Sequence, residues 1–91
     1  MIIIEDERHC EWIDGEFPTL AEAWAELERR AGLPWNEAPN RAPCTGWRTC
    51  GRRYVIIEFG TSVEPWRRLR SLTALNVLPQ GVIWLLARPD A

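Results

Sequence analysis

Apolar residues recur with helical spacing in one segment of the chain, between Thr19 and Gly32. They fall three or four positions apart and form one stripe: Leu20, Ala23, Trp24, Leu27 and Ala31. Thr19 and Glu22 have the spacing of a capping box, which satisfies free backbone amides at a helix start. Gly32 is the residue type that commonly ends a helix in the left-handed conformation. The pattern predicts a helix over residues 20–31, with its tryptophan and central leucine buried.

Two short runs of strand-forming residues precede this helix. Met1–Glu5 is rich in isoleucine, and His9–Ile13 alternates so that Cys10 and Trp12 share one face. Charged residues separate the two runs, and an Asp-Gly turn signal follows the second. We expect two strands here, although one long strand with a bulge fits the same pattern.

Strand-forming residues dominate the second half of the chain. Tyr54–Phe59 is dense in β-branched and aromatic residues and is followed by glycine. Ala74–Leu78 and Val82–Leu86 flank a Pro-Gln-Gly link and predict a β-hairpin. Pro65–Leu72 fits a short helix that begins at its proline, and it also fits a short strand.

Together these elements predict a single small domain of the α+β class over residues 1–91. We expect one mainly antiparallel sheet of four or five strands, with the main helix packed on one face. The predicted order is two strands, the helix, a strand, the short helix at 65–72 and two further strands. The second face is then partly solvated, or covered by the proline-rich residues 33–43 and by residues 65–72. If neither holds, that face is a candidate interaction surface.

Six tryptophans among 91 residues are the main departure from an ordinary composition. Each ring buries roughly 150–250 Å² when it is enclosed, which helps a domain of this size to form a core. We therefore expect Trp12, Trp24 and Trp84 in the core. The remaining three are core residues or exposed binding anchors, and the pattern does not separate these two roles: Trp35, Trp47 and Trp66.

Charge is divided unequally along the chain, whose net charge is −2. Residues 1–40 hold ten acidic residues and three arginines, a net charge of −7; residues 41–91 hold eight arginines and three acidic residues, a net charge of +5. This asymmetry indicates either two surfaces for two partners or two halves that attract each other in the fold. All eleven basic residues are arginine, which favours a GC-rich genome, bacterial or phage.

Three cysteines and one histidine are the soft metal ligands of the chain: His9, Cys10, Cys44 and Cys50. Structural zinc sites usually draw on tighter Cys pairs than the five-residue gap here, and neighbouring strand residues point to opposite faces. The odd number of cysteines fits a reducing compartment, which disfavours a disulfide between the last two. There is no run of eighteen apolar residues and no signal or transit peptide pattern. We expect free thiols, no metal, no membrane span and a cytoplasmic location.

Catalytic signatures are missing from the sequence. It has no phosphate-binding glycine loop, no zinc-protease motif and no nucleophile elbow. A nucleophile also needs a base and an orienting group close in space, and the chain holds a single histidine. We therefore expect a protein that is not an enzyme and that binds no cofactor.

Arginines interleave with aromatic rings in residues 41–70, a combination that single-stranded nucleic-acid binders use. The sequence pI of about 5.4 argues against that role and favours a protein partner, either another protein or a second copy of the chain. The size and charge are those of a small inhibitor of nucleic-acid machinery from a phage or mobile element. Six residues are the expected partner contacts, with the arginines of residues 42–53 on the accessible side: Trp47, Arg48, Arg52, Arg53, Trp66 and Arg67.

Overall fold

The computed structural model describes residues 1–13, 15–42, 51–62 and 65–87, and it confirms the predicted α+β fold. Within these ranges five strands form one sheet and one helix packs against it. The elements in chain order are β1 (Ile2–Asp6), β2 (Glu11–Trp12), α1 (Leu20–Ala31), β3 (Arg52–Gly60), β4 (Arg67–Leu78) and β5 (Gly81–Trp84). The strands lie in the order β2-β1-β3-β4-β5, and every neighbouring pair is antiparallel.

Helix α1 has the predicted bounds, and the predicted cap at its start is present. Thr19 is extended, at φ −129° and ψ 156°, and its hydroxyl oxygen accepts a hydrogen bond from the Glu22 amide at 3.2 Å. The predicted left-handed cap at Gly32 is wrong, because this residue has a φ of −87°. The helix instead ends with short-range bonds: the Gly32 amide donates to the Arg29 carbonyl, and the next amide to the Arg30 carbonyl.

The predicted short helix at residues 65–72 is wrong, and the alternative of a strand is what the structure shows. Most of this segment is the first half of β4, paired with β3 from Arg67 opposite Gly60. The register shifts at Leu69 and again at Ala74, where β4 carries an extra residue opposite β3. The bulge at Leu69 breaks the alternation within residues 65–72, where Trp66, Leu69 and Leu72 have a spacing that resembles a helix.

The N-terminal segment contains two strands, as expected, rather than one long strand. Strand β2 is only two residues long, and the expectation that Cys10 shares a strand face with Trp12 is wrong, because Cys10 lies in the turn before β2 with a φ of 51°. The predicted hairpin is also confirmed, with β4 and β5 paired from Leu75 opposite Trp84 to Leu78 opposite Gly81. Among the described residues, no helix has the length and apolar character needed to cross a bilayer.

The core lies between α1 and the side of the sheet that we call the helix face. Trp24 and Leu27 are buried there against side chains of three strands: Ile2, Ile4, Tyr54, Ile56, Leu75 and Val77. Trp35 packs against the edge of this core and is partly buried. The prediction of a core position is confirmed for Trp24 and wrong for Trp12 and Trp84, which are 55% and 39% exposed. Both of these lie on edge strands, where no further strand of the described chain flanks them.

Candidate protein-interaction surface

Arg52 was expected on an accessible surface, and the structure instead buries it on the helix face, with 5% of its side chain exposed. Its Nη1 atom donates to Asp6 at 2.9 Å and to Glu11 at 3.2 Å. Its Nε and Nη2 atoms donate to the carbonyl oxygens of Asn40 and Arg41 at 2.9 and 2.8 Å. The guanidinium therefore joins three parts of the chain, and its accessibility was wrongly predicted.

Asp6 is the anionic centre of this buried network. Its side chain is fully enclosed, and one carboxylate oxygen accepts the amides of Arg8 and Arg53 at 3.0 and 3.2 Å. The other oxygen accepts from Arg52 and from Nδ1 of His9. A buried carboxylate with this many donors is satisfied, so its role is to hold the turn after β1 against β3.

A second part of the network fastens the irregular residues 33–42 to the sheet. The Tyr54 hydroxyl donates to the side-chain oxygen of Asn40 at 2.8 Å and accepts from Nη1 of Arg30 at 3.1 Å. The Asn40 amide group donates to the carbonyl oxygens of Arg30, Leu33 and Pro34. Burial raises the pKa of Tyr54 above its ordinary value, so the phenol stays neutral and available for both bonds.

A cavity of about 380 Å³ borders this network, between Arg30, Arg52, Pro39 and the end of β2. Its two guanidinium groups are the obvious feature for binding an anion. Arg52, however, is already bound to two carboxylates and two carbonyl oxygens, and Arg30 pairs with Glu26. No buried side-chain nitrogen or oxygen of the described residues lacks a partner. The guanidinium groups of Arg30 and Arg52 are therefore bonded within the chain and are not left available for an anion.

The opposite side of the sheet, which we call the distal face, is built differently. Alternate residues of β1 and β3 point to it: Ile3, Glu5, Arg53, Val55, Ile57 and Phe59. A groove of about 280 Å³ runs over Val55 and Ile57. Glu5 and Glu7 line one side of it, and three residues of β4 line the other: Arg68, Ser71 and Thr73. The groove thus has an acidic wall and a basic, hydroxyl-bearing wall, and the apolar side chains beneath it are buried, with 5% of Val55 and 1% of Ile57 exposed.

Three aromatic rings lie in a row beside this groove, with Phe59 in the middle. The ring centroids of Trp12 and Phe59 are 5.9 Å apart, and those of Phe59 and Trp66 are 6.2 Å apart, both in tilted arrangements. The Arg68 guanidinium lies 5.9 Å from the Phe59 centroid, within cation–π distance. The row presents a large apolar and cationic surface at one end of the sheet.

The expected contact residues are divided between these two faces. Trp66 is half-buried in the aromatic row. Arg67 is exposed at the start of β4, but it pairs with Gly60, so alternation along β3 places it on the helix side of the sheet. Arg53 is half-buried, donates from Nε to the Asn76 side chain at 3.0 Å and lies 3.8 Å from Glu7. Arg52 belongs to the buried network. Trp47 and Arg48 lie outside the described residues.

Three residues of the distal face were missed by the prediction of contacts: Trp12, Phe59 and Arg68. The alternation of β3 was a usable signal for Phe59, because it places this ring on the same face as Val55 and Ile57. No local pattern brings Trp12 to Phe59, since their contact depends on β1 pairing between the two strands. Arg68 was not predicted as a contact, because the apolar residues around it have a helical spacing and its place opposite Phe59 depends on the pairing of β4 with β3.

Of the four candidate metal ligands in the sequence, the structure describes His9 and Cys10. Within the described ranges, no three side chains of His, Cys, Asp or Glu are grouped so that they would hold an ion. Cys10 is exposed and is not in a disulfide. Cys44 and Cys50, the pair considered for a disulfide or a zinc site, lie outside the described residues.

Comparisons with known proteins give no match for this chain. No protein-family model, no curated protein and no solved structure is similar to it at a significant level.

Proposed function

We propose that this protein is a non-enzymatic interaction module that binds another protein through the distal face of its sheet. The observation that carries the proposal is the groove over Val55 and Ile57, with the row of Trp12, Phe59 and Trp66 beside it. Rings and arginines supply most of the binding energy in protein interfaces, and both are concentrated here. The proposal includes a cytoplasmic location, which the odd number of cysteines favours.

The charges at the groove favour a polypeptide over a nucleic acid. Glu5 and Glu7 line the wall opposite Arg68, so a polyanion lying in the groove would meet two carboxylates at close range. A polypeptide of mixed charge can pair with both walls. Single-stranded nucleic acid is the second candidate, because stacked bases would fit the aromatic row. In the narrower form of the proposal, the bound protein belongs to the nucleic-acid machinery that a phage or mobile element inhibits.

Affinity capture from a bacterial lysate, with and without nuclease and at two salt concentrations, tests the proposal. The bait is the tagged wild-type chain, compared with Arg68→Glu and with Arg41→Glu as a control of equal charge change. Arg68 is exposed, lines the groove and lies over Phe59, whereas Arg41 is exposed at the end of the loop that covers the helix face. We expect a protein that survives nuclease, is captured by wild type and by Arg41→Glu, and is lost with Arg68→Glu.

Two outcomes would contradict the proposal. Capture that disappears on nuclease treatment and falls steeply with salt would assign the surface to nucleic acid, because neutralised phosphates release counterions. Equal capture by Arg68→Glu and wild type would remove the distal face from the interaction.

A further inference from the structure

The outer strand of the sheet, β5, is apolar on both of its sides. Val82, Ile83 and Trp84 are 40%, 49% and 39% exposed, and Leu85, which follows, is 46% exposed. In the described part of the chain, no strand pairs with the outer edge of β5. The strand at the other end of the sheet, β2, is only two residues long and offers little backbone for pairing.

Natural sheets usually protect an exposed edge with charged side chains, proline or a bulge, because free backbone groups recruit other strands. Strand β5 has none of these. The sequence from Ser71 to Ala87, which contains β5 and most of β4, has no charged residue. The edge is therefore suited to pairing with another strand that is equally uncharged.

The direction of the backbone groups shows which residues offer hydrogen bonds at this edge. The Leu85 amide donates to the Ala74 carbonyl of β4 at 2.8 Å, so the backbone N–H and C=O groups of Leu85 point toward β4. Because backbone groups alternate along a strand, Ile83 also faces β4, and Val82 and Trp84 direct their N–H and C=O groups outward. Trp84 is held in place from the helix side, where its ring stacks on Trp24 at 4.8 Å.

We propose that β5 pairs antiparallel with β5 of a second copy of this chain, about a two-fold axis at Ile83. In this register Val82 of one copy exchanges both backbone hydrogen bonds with Trp84 of the partner subunit. Trp84 of the first copy does the same with Val82 of the partner subunit. Ile83 then lies directly opposite Ile83 of the partner subunit on the distal side. The cross-strand pairs are aromatic with β-branched and β-branched with β-branched, which are favourable combinations.

A second copy fits this edge because the contact is symmetric. Ile83, on the two-fold axis, meets its own counterpart, so a charged residue at this position would meet a like charge; β5 has no charged residue. The distal groove differs in this respect, since its walls carry charges of both signs. An edge this short buries less than the roughly 800 Å² per partner of a standard interface, so we expect a weak dimer that depends on concentration.

Sedimentation equilibrium over a wide concentration range tests this inference on the whole chain. We expect the wild type to shift from monomer to dimer as its concentration rises. Ile83→Lys places two ammonium groups opposite each other at the axis and should raise the dissociation constant at least tenfold. Leu69→Lys is the matched control: it is also exposed, at 58%, and it lies in the β4 bulge away from β5, so its dimer should resemble the wild type.

Val82→Pro provides a second variant, because it removes an outward N–H group while leaving the inward bonds to β4. It should also sediment as a monomer, with a far-UV circular dichroism spectrum like that of the wild type. A wild type that stays monomeric at every concentration, or an Ile83→Lys variant that dimerises normally, would overturn the inference. Neither result bears on the distal-face proposal, whose test reads capture of a different protein.

Discussion

The helix face and the distal face of the sheet both carry arginines and carboxylates, but they use them differently. On the helix face, Arg52 and Asp6 are enclosed and bonded to each other and to the backbone. On the distal face, Glu5 and Arg68 line opposite walls of an accessible groove. Charges that are fully paired inside a fold stabilise one arrangement of the chain, whereas charges at a groove remain available to a partner.

The tryptophans show the same contrast. Trp24, on α1, is buried against the sheet and stacked on Trp84, so it contributes to the core. Trp12 has more than half of its surface exposed and contacts Phe59 at the end of the distal face. Replacing each tryptophan with alanine should therefore lower the free energy of unfolding by a different amount. The difference between the two variants measures the contrast between the faces.

The largest expected effect is that of Trp24→Ala, compared with Trp12→Ala. Removing a buried ring costs about 3–5 kcal/mol of unfolding free energy, enough to unfold much of a domain this small. Removing the exposed ring loses one aromatic contact, worth about 1 kcal/mol. Urea denaturation followed by circular dichroism measures both changes. Similar losses for the two variants would break the distinction between the faces.

The next effect is that of Arg52→Met, for which Arg53→Met is the neighbouring control. Without its guanidinium, the enclosed Asp6 carboxylate loses its main counter-charge, and breaking a buried pair typically costs about 3–5 kcal/mol. Replacing Arg53, which is half-buried, removes its hydrogen bond to the Asn76 side chain and its 3.8 Å pair with Glu7, so it should cost less, about 1–2 kcal/mol. The thermal midpoints of the two variants report the difference. An Arg52→Met protein as stable as the wild type would show that the network contributes no net stability.

The smallest expected effect is on the pH dependence of the unfolding free energy at acidic pH, through Glu26. The Arg29 side chain, which donates to Glu26, lowers the pKa of that carboxyl below its ordinary value, and Arg30 adds to the effect against the opposing influence of burial. A lowered folded-state pKa stabilises the protein above the unfolded pKa of 4.5, and the stabilisation is lost as pH falls further. The wild type should therefore lose stability below about pH 4.5 more steeply than Glu26→Gln, by less than about 1 kcal/mol. Identical profiles in urea titrations across this range would contradict it.

Helix α1 and strand β3 were predictable because their patterns are local. The apolar stripe, the Thr19 cap and the dense β-branched run each arise within a dozen residues or fewer, and the structure places both elements accordingly. Strand β4 was harder, since the bulges at Leu69 and Ala74 change its alternation for reasons that lie in its pairing with β3.

The site was less predictable than the fold. Arg52 and Arg53 are adjacent in the sequence, and only their alternation along β3 sends one into the buried network and the other to the distal face. Which face is buried depends on where α1 packs, and the composition of residues 41–70 holds no information on that. The row of Trp12, Phe59 and Trp66 likewise requires β1 to lie between β2 and β3.

The most direct test of the central claim, that the distal face binds another protein, is calorimetric titration of Trp66→Ala with the partner captured by the wild type. Trp66 contacts Phe59 at the edge of the fold and is only half-buried, so the thermal midpoint should change little. We expect the binding free energy to weaken by more than about 1 kcal/mol, roughly a fivefold increase in dissociation constant or more. Unchanged affinity, with or without a drop in thermal midpoint, would contradict the assignment of this surface to binding.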